Sequence, residues 1–175
     1  MDDIFAGVRK GDVVLATLLT ALGVLLMVAN INGDDPATRI DSRSWLMVPV
    51  FAAATVPILW RRRSMVAVLA VTAAALAVHV LAFGWVVRCG AGLPLALALA
   101  YGVGRLTRGA WSWGGLVGTL AIQFLVLVRD SAAGLDIIPV TAAAGVVCWG
   151  VGALLARRAE QPTAADTAVP SPARV

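Results

Sequence analysis

Apolar residues fall into six runs along the chain, separated by short polar or basic breaks. Charges cluster at short intervals and the runs between them are nearly charge-free, the pattern of a multi-span membrane protein. The first run, Asp12–Ile31, follows Arg9-Lys10, and its apolar core VVLATLLTALGVLLMVANI is long enough to cross ~30 Å of hydrocarbon. Its length and the preceding Asp2-Asp3 favour a retained helix over a cleaved signal peptide. NGDDPATRIDSRS, Asn32–Ser44, is rich in turn formers and reads as an exposed loop. The second run, Trp45–Trp60, is short, about 24 Å if helical, with tryptophan marking each interface. Pro49 and Pro57 allow kinks within it. The third run is Met65–Val87, closed by Arg88-Cys89-Gly90. The fourth is Ala91–Leu106, with Pro94 near its start. The fifth is Trp113–Val128 and the sixth Ile137–Ala156. The pattern predicts an all-α fold, an integral membrane bundle of six transmembrane helices over residues 12–156. It adds a cytoplasmic N-terminal segment over 1–11 and a Pro-, Ala- and Thr-rich disordered cytoplasmic tail over 157–175.

Composition strengthens this picture. The chain is 60% hydrophobic and 14% charged, where soluble domains carry roughly a quarter charged residues. Its basic pI of about 10.0 need not signal nucleic acid, since arginine at helix ends gives the same balance. Six spans put both termini on one side. That side then holds Arg9, Lys10, Arg61, Arg62, Arg63, Arg105, Arg108, Arg157, Arg158 and Arg174, ten basic residues against the other side's four, Arg39, Arg43, Arg88 and Arg129. The positive-inside rule places the richer side in the cytoplasm of a plasma-membrane protein.

The spans offer little chemistry. Their deep parts hold no Asp, Glu, Lys or Arg; Asp12, Arg105, Asp130 and Asp136 lie at ends. Intramembrane charges usually mark transport or proton paths. His79 is the single histidine. It has two readings, a pH-sensitive switch or a neutral side chain hydrogen-bonded to a neighbouring helix. A transporter or channel would need His79, Tyr101 and Gln123 joined in one polar path. One histidine with Cys89 and Cys148 makes no metal site, because zinc takes four ligands, and the separation of the two cysteines argues against a disulfide. Ser64, Ser112 and Ser131 lie at run ends, so His79 has no serine partner for intramembrane proteolysis. No enzyme activity and no cofactor are expected.

Small residues recur every four positions: Ala96, Ala100 and Gly104; Ala144, Cys148 and Gly152; Gly114 and Gly118. Such stripes let helix backbones approach closely, either within one bundle or across a homodimer. The triplet Arg61, Arg62 and Arg63 reads as a topological anchor with affinity for anionic lipid, or as a docking patch for a cytoplasmic partner. Nucleic-acid binding is the weakest option, since three residues held at a membrane cannot follow a phosphate backbone.

The stretch VPILWRRRSMVAVLAVTAAALAV, Val56–Val78, with the LALALAYGVGRL rhythm of the fourth run and the final Arg157-Arg158, resembles the N-terminal membrane domain of sensor histidine kinases of high-GC Gram-positive bacteria. The resemblance covers roughly Arg9–Arg158. It implies a signal-sensing or regulatory membrane module, with the lipid bilayer and a homodimer or a membrane-bound kinase as partners. Two departures matter. Ser64 stands where the family usually has proline after the arginines. After Arg158 there is neither a phospho-accepting histidine nor a glycine-rich nucleotide box. No catalytic residue is carried over.

Overall fold

The computed structural model describes residues 7–33 and 38–161. Over these the chain forms α1 (Lys10–Asn32), α2 (Met47–Thr55), α3 (Met65–Phe83), α4 (Cys89–Leu106), α5 (Ala110–Leu127) and α6 (Ile138–Glu160). The all-helical expectation holds, and five of the helices are long and apolar enough to cross a membrane. The second segment is the short one. Nine residues of α2 are followed by a five-residue 3-10 turn, Val56–Trp60. The turn rises about 2.0 Å per residue, so the pair spans about 24 Å, short of the ~30 Å hydrocarbon thickness.

Several boundaries move relative to the sequence reading. α1 begins at Lys10, inside the expected N-terminal segment, and α5 begins at Ala110. α3 stops at Phe83, four residues before the expected end, because Gly84 turns the chain at φ 64°, a conformation open to glycine at little cost. α6 continues through Arg157 and Arg158 to Glu160, so the first residues of the expected tail are helical. Its remainder, 162–175, and Arg174 with it, lies outside the described residues.

Helix starts follow local chemistry. Ser64 caps α3, its Oγ accepting from the Ala67 amide at 3.2 Å. Asp12 accepts from the Arg9 amide at 3.1 Å at the start of α1. α4 lies at the centre, touching α1, α3, α5 and α6. Its contact with α6 is backbone to backbone. A Cβ on Gly104 would lie 2.0 Å from the Trp149 carbonyl oxygen, and one on Gly152 would lie 2.4 Å from that of Tyr101. Both glycines therefore serve packing inside this bundle, the first of the two readings of the stripes. Gly114, by contrast, has no atom within 4 Å of such a Cβ.

The other half joins α1, α2 and α3. Phe51 fills the space left by Gly23, where a Cβ would lie 2.5 Å from its ring. Thr20 and Thr55 share a hydrogen bond of 2.8 Å, and Thr72 donates to the Ala54 carbonyl at 3.0 Å. Hydroxyls of this kind are ordinary links between helices in lipid. Outward faces carry large apolar side chains, among them Leu18, Leu25, Leu81, Val117 and Val140, which suits a bilayer rather than water as the surrounding solvent.

Candidate functional site

The alternating helices give the bundle two ends. One, the basal end, gathers the starts of α1, α3 and α5 with the ends of α4 and α6. The other, the distal end, gathers the opposite termini and the connections 84–88 and 128–137.

The distal end is built around Arg88, a side chain with 0% exposure that sequence reading treated as the close of a span and one of four basic residues on its side. Its Nε donates to His79 Nδ1 at 3.0 Å. Its two terminal nitrogens donate to the Gly84 carbonyl at 2.5 Å and the Arg129 carbonyl at 3.0 Å. Beside it Asp130 is also buried. One carboxylate oxygen accepts from the Arg88 and Cys89 amides at 2.6 and 2.7 Å. The other accepts from the Ala132 and Ala133 amides at 2.9 Å each. Asp130 thus caps the start of α4 and shapes the turn that leads towards α6. Burial pulls the Arg88 guanidinium down to about 10, while the Asp130 carboxylate pulls it back up. At that value it stays charged at neutral pH.

Two further clasps close this end. Asn30, from α1, donates to the Val87 carbonyl at 2.8 Å and accepts from its amide at 3.2 Å. Asp41 accepts from the Trp85 amide at 3.0 Å while its own amide donates to the Trp85 carbonyl at 2.8 Å. Arg39 pairs with Asp41 at 2.9 Å and lies 5.3 Å from the centroid of the Trp85 ring. The Trp85 amide, with Arg39 second, holds the Asp41 carboxyl below its ordinary value. Gly84 is needed here too, since a Cβ would lie 2.6 Å from an Asp41 oxygen.

His79, Tyr101 and Gln123 occupy different places. His79 is buried between the Phe51 and Phe83 rings, with edge-on contacts at 5.6 and 4.9 Å. Its Nδ1 accepts from Arg88, so the ring proton sits on Nε2, which has no protein partner. Gln123 is buried against α6, its Nε2 unpartnered and 2.5 Å from where a Gly145 Cβ would stand. Tyr101 is half-buried on α4, its backbone carbonyl against Gly152 of α6. Among the described residues no hydrogen bond joins the three.

At the basal end the arginine triplet is not a free row of charges. Arg61 and Arg62 both reach Asp12, at 2.6 and 2.8 Å, and that carboxylate is wholly buried. The pair ties the 3-10 turn to the first turn of α1. Arg61, Arg62 and Arg63 also line a groove of about 460 Å³ with Ser64, Thr107, Arg108 and Trp111. Arg108 bridges to Glu160 across this end, and a smaller cavity of about 200 Å³ lies on its other side, against Trp149 and Arg157. Sequence reading isolated the triplet and missed both Asp12 as its partner and Arg108 as its neighbour. The signal available was that all of them fall on one side of an alternating topology. No family model, curated protein or solved structure matches the chain.

Proposed function

We propose that the chain is a six-span plasma-membrane module with both termini in the cytoplasm. It serves as a non-catalytic signal-sensing or regulatory unit of the kind that precedes a histidine-kinase core, acting on a copy of itself or on a membrane-bound kinase. The observation that carries this reading is the mechanical path through α4 and α6. α4 starts in the buried Arg88–Asp130 cluster at the distal end. It lies backbone to backbone on α6 through Gly104 and Gly152. α6 then runs unbroken past Arg157 and Arg158 to Glu160. A displacement at the distal face has a rigid route to the basal end, because packed glycine interfaces do not stretch. The 24 Å second segment crosses by local thinning of the bilayer and by its flanking tryptophans, as short spans do.

Topology reporters placed after Ser44, Ser64, Cys89, Gly109, Gly134 and Gln161 test the six spans; the expected pattern alternates, and any other pattern overturns it. A chimera joining a histidine-kinase core after Glu160 tests the sensing role. Substitutions at Arg39, Asp41 or Trp85 that preserve helix content are expected to change its autophosphorylation severalfold. Output indifferent to all three, or solute flux through proteoliposomes of the purified chain, overturns the sensing role.

A further inference from the structure

The smaller basal cavity lies between the end of α4, the start of α5 and the last turns of α6, and the sensing role does not require it. Its volume of about 200 Å³ is below the roughly 300–1,000 Å³ of drug-sized sites, so it suits a small group. Arg108, Ser112 and Arg157 line it together with Trp113 and Trp149. Ser112 is buried, only 8% exposed. Its Oγ accepts from the Trp149 indole N–H at 2.9 Å, and its own proton has no acceptor among the described residues. A buried hydroxyl donor without an acceptor calls for a ligand that accepts. Arg108 donates to the Thr107 carbonyl and to Glu160, which leaves it further N–H groups. Arg157 makes no hydrogen bond or ion pair among the described residues. α5 also begins here, at Gly109 with no side-chain cap, so no side chain offsets the positive end of its dipole.

We infer that this cavity binds a phosphate group. Two guanidinium groups line it and no lining residue carries a carboxylate, which selects an anion over a cation or a neutral group. The donors come from three elements: Arg157 from α6, Arg108 from the connection after α4, and Ser112 from α5. A tetrahedral phosphate has an oxygen for each, whereas a planar carboxylate must share its pair among them. Arginine offers the forked donor geometry that phosphate oxygens accept. The Trp113 and Trp149 rings, 4.6 Å apart, keep part of the surroundings apolar, where charge-assisted bonds are stronger. The same group comes either as a free anion or as the headgroup of a phospholipid, and the test separates these sources. The inference needs neither the sensing role nor the number of spans.

Titration calorimetry of the full chain in nonionic detergent, with inorganic phosphate as titrant, tests the free anion. Native mass spectrometry with phosphatidylglycerol, and separately with phosphatidylcholine, tests the headgroup. Saturable binding is expected in at least one arm. Arg157→Gln and Ser112→Ala are each expected to weaken it at least about fivefold, the scale of one charge-assisted hydrogen bond discounted for solvent. Circular dichroism confirms that each variant keeps its helix content, and either variant alone suffices. Arg158→Gln is the control, an exposed charge one residue along that does not line the cavity; it is expected to leave binding unchanged. Equal losses at Arg157 and Arg158 would mean diffuse attraction to a basic surface and overturn the site. An absence of phosphate binding together with equal retention of the two lipids overturns it as well. Phosphate binding as tight as that of phosphatidylglycerol assigns the cavity to a free anion. Undetectable phosphate binding, with phosphatidylglycerol retained over phosphatidylcholine and lost in Arg157→Gln, assigns it to a headgroup.

Discussion

Asp130→Asn is the sharpest perturbation the structure offers. The change keeps shape and volume but leaves one acceptor oxygen where there were two. Asp130 accepts four backbone amides, two on each oxygen. Whichever way the new amide turns, two N–H groups lose their acceptor and face an NH2 group instead. Either the start of α4 at Arg88 and Cys89 or the turn at Ala132 and Ala133 is left unsatisfied. Each orphaned buried amide costs about 1–3 kcal/mol, so the pair costs about 2–6 kcal/mol. Arg88, fully buried beside it, loses its compensating charge as well. Denaturant-induced unfolding in micelles, with hydrogen exchange at the four amides, measures the loss. Asp136→Asn is the control, an exposed carboxylate in the same connection, where about 0.5 kcal/mol or less is expected. An Asp130→Asn protein within about 1 kcal/mol of the parent, with protected Arg88 and Cys89 amides, would refute the idea that this carboxylate organises the distal end.

Gly104→Val is expected to separate α4 from α6 and destabilise the bundle by at least the 1–3 kcal/mol typical of overpacking, since even a Cβ there would sit 2.0 Å from the Trp149 oxygen. Gly150→Ala, with nothing within 4 Å, should be neutral or stabilising in the same unfolding assay. Asp12→Asn should cost about 1.5–3 kcal/mol, because it takes the shared carboxylate from Arg61 and Arg62, both of which keep some access to solvent. Glu160→Gln, which breaks a bridge with both side chains more than half exposed, should change stability by less than about 1 kcal/mol. The Asp41 clasp should be acid-sensitive: its carboxyl is held below the ordinary 3.8. The stabilisation is therefore complete above that value and is lost as pH falls through the lower folded value. Carbon-detected NMR of the Asp41 carboxyl, with Trp85 fluorescence in parallel, should show one transition below pH 3.8, absent in Asp41→Asn.

The helices were legible because a long run without charges has few alternatives: it satisfies its own backbone as a helix, and five of the six are long and apolar enough to cross a membrane. Ends were less legible for equally physical reasons. Trp85, Val86 and Val87 prolong the apolar run past Gly84, so hydropathy cannot see that α3 ends at Phe83; the decision belongs to the backbone at Gly84 and to Asp41, over forty residues away along the chain. The burial of Arg88 escaped the same way. Its side-chain partners are His79 nine residues back, Gly84 four residues back and Arg129 forty-one residues ahead, and no local pattern joins them. The triplet was picked out as a feature of one end, but reading it as an isolated row missed Asp12, a carboxylate 49 residues from Arg61.

The charges of this bundle are placed so that an element at each end clamps another. Asp12 of α1 holds the 3-10 turn that follows α2, and Asp130, after α5, holds the start of α4. Between the clamps the helices are joined by glycine contacts and by hydroxyl bonds such as Thr20 with Thr55, the latter worth about 0.6 kcal/mol each in lipid. The strong interactions thus fix helix register at the two faces, while the middle is held by many weak ones. Under the proposed regulatory role, re-seating an end clamp is the larger lever, because any single weak link falls far short of the about 5.5 kcal/mol that takes a two-state equilibrium from one side to the other. Under that role, the clamps at Asp12 and at Arg88 with Asp130, and not the apolar interior, are the elements a signal would act on.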